Sequence, residues 1–262
     1  MSLRIDRGRN KPITQYNMEE LAARQRCIEP SGGVLFARNA NGEQKREARK
    51  LIADLFRPDV WDGYLQMLTM PGVHWHFERQ LLAGREDAWR KSRSPRRTHF
   101  TCVENDRPIY FASCAKMPGT ETPGRLISSV KRGRYPFAEM AFKTRYASFF
   151  FANIDDFMQH KWESKPEYGY EKTPGWDAAW LDYTGPLDVW RLELIANFFR
   201  EFVRSTLIVT ALKGRWSKRT SGAIERAGGY SEWLRKHLPG EVLHDFEYMD
   251  TAPMVQFAVR HG

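Results

Sequence analysis

Apolar residues beyond position 60 come in short runs that have the length and composition of β-strands. Five such runs alternate with longer stretches of helical periodicity, of which the clearest are "HWHFERQLLA" and "VWRLELIANFFREFVR". The runs are "YLQMLTM" (64–70), "HFTCVE" (99–104), "SFFFANI" (148–154), "AAWLDY" (178–183) and "TLIVTAL" (206–212). Strands that alternate with helices of this length form βαβ units, so the pattern predicts a mainly parallel sheet with helices on both faces.

Two further apolar runs lie close to the C-terminus, "EVLHDFEYM" (241–249) and "MVQFAVRH" (254–261). Only "DTAP" separates them, which is too short for a crossover helix, so the two runs must pair antiparallel as a hairpin. The predicted fold class is therefore α/β, with a doubly wound, mainly parallel seven-stranded sheet and an antiparallel C-terminal hairpin.

The residues that precede the first run have a different pattern. Residues 1–17 are polar and basic, and "NMEELAARQRCIEP" (17–30) predicts a short helix that begins at Asn17 and ends at Pro30. A second helix is predicted over "EQKREARKLIADLFRPD" (43–59), where apolar residues recur on one face. We therefore divide the chain into a basic helical N-terminal extension, residues 1–57, and an α/β domain, residues 58–262.

Polar residues follow the parallel runs at the edge where ligands bind in doubly wound sheets, the carboxyl ends of the strands. The first run leads into a tight turn at Pro71 and Gly72, and the helix after it presents free N–H groups. The second run ends at Glu104, a carboxylate that can accept hydrogen bonds from the two hydroxyls of a ribose. The later runs end in segments that offer Asn153, Asp155 and Asp156, then Asp182 and Tyr183, and then Thr210, Lys213 and Arg215.

Over roughly residues 60–262, this order of elements and polar strand ends resembles the class I S-adenosylmethionine-dependent methyltransferases. The resemblance implies that S-adenosylmethionine is the cofactor and that Asp182 and Tyr183, in the turn 182–186, orient or deprotonate the methyl acceptor. It also implies a set of cofactor-binding residues: Met70, Pro71 and Gly72 for the methionine part, Glu104 with Asn105 for the ribose, and Asp155 with its neighbours Ile154 and Asp156 for the adenine. The first turn, "TMPGVH", departs from the family, whose turn is usually rich in glycine and follows an acidic residue.

The chain is basic, with 41 Lys and Arg against 32 Asp and Glu, a net charge of +9 and a pI near 9.5. Such a balance favours anionic partners, with nucleic acid as the first candidate and a membrane surface as the second. Basic clusters lie in three predicted connections, "RKSRSPRR" (90–97), "KRGRY" (131–135) and "KGRWSKR" (213–219). The alternative is that they are solvated loops. The candidates for phosphate contact are Arg93, Arg96, Arg97, Lys213, Arg215, Lys218 and Arg219.

Other kinds of site find less support in the sequence. His74, His76 and Glu78 alternate and would share one face of a strand, where they could bind a metal ion, but the pattern predicts a helix, on which residues two apart point in different directions. We therefore expect no metal site. The sequence contains neither the GxSxG pattern of serine hydrolases nor the GxxxxGK[ST] phosphate loop.

Cysteine usage and apolar content suggest a compartment. Cys27, Cys102 and Cys114 have neither CxxC nor metal-ligand spacing, which is typical of a chain in a reducing environment. No apolar run approaches the length of a membrane span, and the first residues lack the apolar core of a signal peptide. We expect a cytoplasmic protein with no membrane partner, and the pattern leaves its oligomeric state open.

Three functions are compatible with these observations. The first is an S-adenosylmethionine-dependent methyltransferase that acts on nucleic acid, either DNA or RNA. The second, which the atypical first turn favours, is a non-catalytic nucleic-acid-binding protein with a degenerate methyltransferase fold. The third is a methyltransferase for a small molecule or a protein, in which the positive charge is incidental.

Overall fold

The computed structural model describes residues 43–57, 60–61, 63–71, 75–92, 98–114, 138, 140–144, 146–160, 175–183, 185–249 and 253–262. The helices are α1 (Glu43–Leu55), α2 (His76–Ser92), α3 (Arg107–Cys114), α4 (Ile154–Gln159), α5 (Val189–Phe202), α6 (Lys218–Ala227) and α7 (Tyr230–His237). The strands are β1 (Leu65–Thr69), β2 (Thr98–Glu104), β3 (Met140–Lys143), β4 (Ala147–Phe151), β5 (Trp176–Asp182), β6 (Val203–Leu212), β7 (Glu241–Met249) and β8 (Pro253–Arg260). None of these helices has both the length and the apolar character that crossing a membrane requires.

The strands form one sheet in the order β3-β4-β2-β1-β5-β6-β8-β7. Strands β4, β2, β1, β5 and β6 run parallel, whereas β8 runs antiparallel to both β6 and β7. The mainly parallel sheet and the C-terminal hairpin are therefore confirmed, and each of the seven predicted runs forms a strand.

The described sheet has eight strands rather than the predicted seven. The additional strand is β3, four residues that pair antiparallel with β4 at the edge of the sheet. An edge strand needs only one partner, so a run as short as "MAFK" can form it without the long apolar stretch that marks a central strand. No strand was predicted for these residues.

Both faces of the central strands are buried, which explains why their sequences are nearly continuous apolar runs. Leu65 and Met67 of β1 belong to a core shared with α1, α2 and α3, whereas Leu68 belongs to a core shared with α4 to α7. Because successive side chains of a strand point to opposite faces, these two cores lie on opposite sides of the sheet. We refer to these sides as the α1–α3 face and the α4–α7 face.

Helix α1, which the sequence analysis assigned to the extension, packs into the core on the α1–α3 face. Ile52 and Phe56 are fully buried in the same cluster as Leu65 and Met67. The side chain of Arg85 reinforces this packing from α2, since it donates hydrogen bonds to the carbonyl oxygens of Phe56 (3.0 Å), Trp61 (3.0 Å) and Gly63 (2.6 Å). The helix predicted over 17–30 lies outside the described residues, and the division at residue 57 stays a prediction.

Candidate active site

The strand order of the sheet reverses at β1, and we refer to the space above the carboxyl end of this strand as the crevice. Strand β1 pairs with β2 on one side and with β5 on the other, and its last residue, Thr69, lies opposite Cys102 and Trp180. Both neighbouring strands continue two residues further, to Glu104 and Asp182. Ligands bind at such switch points in doubly wound sheets. The crevice is therefore flanked by two acidic residues that the sequence analysis selected.

Glu104, Asp182 and Thr69 lie on the same face of the sheet. In each strand, the residue two positions earlier belongs to the core on the α1–α3 face: Cys102, Trp180 and Met67. Side chains alternate along a strand, so all three polar side chains project toward the α1–α3 side of the edge. Strands β2 and β5 are two strand spacings apart, which places the backbones of the two acids about 10 Å from each other.

The carboxyl of Glu104 is partly buried, and its pKa is raised. Burial raises its pKa from the ordinary value of 4.5 to about 7, although the backbone N–H groups of Asp106 and Asn105 act in the opposite direction. The N–H of Asp106 donates to Glu104 Oε1 at 2.7 Å, and the side chain of Asp106 accepts from the N–H of Ile109 in the first turn of α3. This pairing holds Glu104 in place. Asn105 is exposed beside it.

The turn after β1 lies at the base of the crevice. Pro71 is buried, and Met70 is half-buried against the core on the α4–α7 face, while Gly72 lies outside the described residues. Trp75 precedes α2 with a positive φ of 54°, which is unfavourable for a bulky residue. Its indole is fully buried and donates to the carbonyl oxygen of Ser113 at 2.9 Å, so tertiary packing offsets the strain.

Glu78 is a third carboxyl group at this end of β1, and the sequence analysis considered it only as a metal ligand. It lies in the first turn of α2, is 2% exposed and accepts a 2.5 Å hydrogen bond from the hydroxyl of Thr69. Burial raises the pKa of Glu78, and the charge of Asp182 adds to this effect. The bond from Thr69 and the charge of Arg49 on α1 lower it.

On the opposite side of the crevice, Asp155, Arg191 and Tyr183 form a cluster that we call the α4–α5 clamp. Arg191 Nε lies 3.2 and 3.1 Å from the two carboxylate oxygens of Asp155, and its Nη2 lies 2.8 Å from Oδ2. The guanidinium also stands over the ring of Tyr183, 5.1 Å from its centroid. Because β2 and β1 separate β4 from β5 in the sheet, the clamp joins two helices that follow non-adjacent strands.

The clamp limits the chemistry available to two of the predicted site residues. Asp155 is only 7% exposed, and its carboxylate already accepts hydrogen bonds from Arg191 and, at 3.4 Å, from the hydroxyl of Tyr183. Burial and the neighbouring carboxylate of Asp155 raise the pKa of Tyr183 well above its ordinary value, although Arg191 opposes them. Tyr183 is therefore a neutral phenol at physiological pH, which does not favour it as a proton acceptor.

Two other polar residues near the strand ends have structural partners. The side chain of Asn153 accepts from the N–H of Asp155 and caps α4. Thr210 is buried in β6, where its hydroxyl accepts from the indole N–H of Trp180 at 2.9 Å. Asp156, in contrast, is exposed on the first turn of α4.

Basic residues border the site beyond β6. Lys213 forms an ion pair with Glu247 of β7, whereas Arg215, Lys218 and Arg219 are exposed. The N–H of Leu212 donates to the carbonyl oxygen of Gly185 at 3.1 Å, which brings this segment next to the loop that follows β5. Arg93, Arg96 and Arg97 lie outside the described residues.

The metal alternative receives no support from the part of the chain that the structure describes, which holds no group of three or more His, Cys, Asp or Glu side chains that could bind a metal ion. His76 is exposed and Glu78 is buried, as expected for residues two apart on a helix. His74 lies outside the described residues.

Comparisons with known proteins identify the fold. No family model matches the chain, and no curated protein matches it. The magnesium protoporphyrin IX methyltransferase from Synechocystis PCC 6803, solved with bound SAM, is 10% identical, with a TM-score of 0.50 over 94% of this chain and 98% of its own. The N-methyltransferase NodS from Bradyrhizobium japonicum WM9, in complex with S-adenosyl-L-homocysteine, is 8% identical, with a TM-score of 0.46 over 93% and 97%.

A third similar structure is the 1,6-didemethyltoxoflavin-N1-methyltransferase from Burkholderia thailandensis, solved with 1,6-didemethyltoxoflavin and S-adenosylhomocysteine. It is 11% identical, with a TM-score of 0.45 over 94% of this chain and 91% of its own. At 10% identity and a TM-score of 0.50, the Synechocystis structure shows a shared fold alone and leaves the chemistry open. The chain therefore has the fold of a class I methyltransferase.

Proposed function

We propose that the protein is an S-adenosylmethionine-dependent methyltransferase. The observation that carries this proposal is the position of Glu104, a partly buried carboxyl group at the end of the second strand, beside the switch-point crevice of a methyltransferase fold. A carboxylate at this place suits the two hydroxyls of a ribose. The three similar structures described above were all solved with SAM or S-adenosylhomocysteine, which supports S-adenosylmethionine as the cofactor.

The proposal assigns a role to each part of the crevice. Glu104 accepts hydrogen bonds from the ribose hydroxyls, with Asn105 beside it, and Met70, Pro71 and Gly72 border the methionine part. Asp156 is the better candidate for the adenine, since the carboxylate of Asp155 is engaged by Arg191. The bound cofactor supplies the reactive methyl group.

Asp182 is the residue that we assign to the methyl acceptor. It ends β5 on the side of the crevice opposite Glu104, and the loop that follows is tied to the end of β6. There its carboxylate would orient the acceptor or take its proton. Tyr183 contributes by tying this loop to Asp155, because its phenol stays protonated and donates to that carboxylate.

The proposal is tested by titrating the protein with S-adenosylhomocysteine at pH 8 in a calorimeter. We expect the wild type to bind and Glu104→Gln to bind at least about tenfold more weakly, which corresponds to about 1.4 kcal/mol. Glu193→Gln, an exposed position on α5, is the matched control and leaves the affinity unchanged. No binding by the wild type at millimolar ligand would contradict the proposal.

For the acceptor, we propose a nucleic acid. Supporting it are the net charge of +9 and the exposed side chains of Arg215, Lys218 and Arg219 in a segment bonded to the loop after β5. These cations would neutralise phosphates, so the affinity should fall linearly with salt on logarithmic axes.

The acceptor proposal is tested by fluorescence anisotropy with single-stranded and duplex DNA and RNA oligonucleotides at increasing salt. Replacing Arg215, Lys218 and Arg219 together by Ala should flatten the salt slope by about two to three, whereas the exposed control Lys50→Ala on α1 should not. An affinity that does not respond to salt would contradict a nucleic-acid acceptor. Salt-sensitive binding by a wild type that does not bind S-adenosylhomocysteine would instead support the non-catalytic alternative.

A further inference from the structure

We propose that Glu78 is a positioning residue that, from the first turn of α2, balances the positive charge of the methionine part of S-adenosylmethionine when that part is bound at the end of β1. This inference rests on the proposed function and extends it to a residue outside the strand ends. It concerns how the protein distinguishes the whole cofactor from its uncharged nucleoside portion.

The segment that would border the methionine part carries no charged residue. The sequence from residue 65 to residue 73, "LQMLTMPGV", contains no acidic or basic residue. The methionine part of the cofactor carries an ammonium and a sulfonium group beside one carboxylate, so it is a net cation. Its attraction to this place must therefore come from acidic groups on neighbouring elements.

Glu78 lies directly behind the end of β1. Its carboxyl group is bonded to Thr69, the last residue of the strand, at 2.5 Å between Oγ1 and Oε1. Met70 and Pro71 follow Thr69 at once. Glu78 is 2% exposed, so it acts through Thr69 and through its electric field rather than by contact with the ligand.

Charged and titratable groups on three neighbouring elements interact with Glu78. Arg49 on α1 favours its ionised form, whereas Asp182 on β5 disfavours it, and the carboxyl of Glu78 in turn acts on the thiol of Cys102 on β2. Burial favours the neutral acid in the free protein. A cation placed at the end of β1 acts in the same direction as Arg49 and shifts Glu78 toward the carboxylate. The residue then interacts more strongly with a charged ligand than with a neutral one.

Glu78 could instead have a purely structural role, in which it only links β1 to α2. The variant Glu78→Gln distinguishes this structural role from the proposed electrostatic one. The glutamine keeps the size of the side chain and the oxygen that accepts from Thr69, so the link between the elements is preserved, but it cannot ionise. The experiment measures the affinity of the full chain for two probes by calorimetry at pH 8. One is S-adenosylmethionine, and the other is 5′-methylthioadenosine, which keeps the adenine and ribose but lacks the charged chain and the sulfonium.

We expect Glu78→Gln to bind S-adenosylmethionine at least tenfold more weakly and to bind 5′-methylthioadenosine within twofold of the wild type. Glu104→Gln, the comparison variant, should weaken both probes, because both contain the ribose. Binding of the second probe also shows that Glu78→Gln is folded. An unchanged affinity for S-adenosylmethionine, or equal weakening of both probes, overturns the role of Glu78 while leaving the proposed function standing. A wild type that binds neither probe contradicts the proposed function itself, and this inference with it.

Discussion

Glu104 should lower the stability of the folded protein above neutral pH, because folding raises its pKa. In the unfolded chain the carboxyl group ionises around pH 4.5, and in the folded chain around pH 7. Below pH 4.5 the carboxyl group is protonated in both states, so its ionisation does not change the free energy of unfolding. As the pH rises from 4.5 through 7, the unfolded state ionises first, so the stability associated with the buried neutral acid is lost, and above about pH 8 the loss is complete.

The size of this effect follows from the difference between the two pKa values. At about 1.4 kcal/mol per pKa unit, the effect on the free energy of unfolding has an upper limit of about 3.5 kcal/mol. The side chain is partly exposed, so solvent screening reduces the expected value to about 2 kcal/mol. Glu104→Gln keeps the shape of the side chain and cannot ionise. We therefore expect the variant to match the wild type near pH 4.5 and to be more stable by about 2 kcal/mol at pH 8.

The assay is urea-induced unfolding, followed by tryptophan fluorescence at half-unit pH intervals from 4.5 to 8.5. Glu193→Gln, whose side chain is exposed, serves as the control and should follow the wild type throughout. A difference between Glu104→Gln and the wild type that is constant across the pH range would refute the reasoning, since it would show that ionisation of Glu104 is not its source. A gain in stability combined with weaker cofactor binding is typical of residues retained for function.

Three further predictions concern the same carboxyl group and the packing around the site. Binding of S-adenosylhomocysteine should tighten from pH 6 to pH 8 and release a proton at pH 6, since hydroxyl donors favour ionised Glu104. Calorimetry in two buffers of different ionisation heat measures the number of protons released, and Glu104→Gln should abolish the release. Asp155→Asn should lower the free energy of unfolding by about 2 kcal/mol, because the amide cannot accept the paired bonds of Arg191, and adding Arg191→Met should restore at least half of the loss in urea unfolding. Arg85→Met should lower the free energy of unfolding by about 3 kcal/mol, because three carbonyl oxygens lose their donor. A melting temperature close to that of the wild type would contradict this.

Much of the fold was predictable because burial on both faces of a parallel sheet leaves a simple sequence signature. The run 241–249 coincides with β7, and the short "DTAP" connection allowed only an antiparallel hairpin. Glu104 and Asp182 could be found for the same reason, since each is the residue at which an apolar run stops. Strand β3 was not predicted because four residues at the edge of a sheet do not need the long apolar run that marks a central strand.

Contacts between residues that are distant in the chain could not be predicted from the sequence. Asp155 follows its strand just as Glu104 does, but its partner Arg191 lies 36 positions further along the chain, and only the packing of α4 against α5 brings them together. Helical periodicity places Glu78 in the first turn of α2 without showing that this turn packs behind Thr69. The protonated state of Tyr183 likewise depends on burial that its neighbours in sequence do not reveal.

The central claim is that a nucleoside cofactor binds in the crevice above β1 with its ribose on Glu104. The measurement that tests it most directly is a crystal structure of the protein with S-adenosylhomocysteine. The account predicts the ligand at the carboxyl edge of the sheet, with both ribose hydroxyls about 3 Å from the carboxylate oxygens of Glu104. A ligand bound elsewhere on the molecule, or a ribose that makes no contact with Glu104, would contradict it.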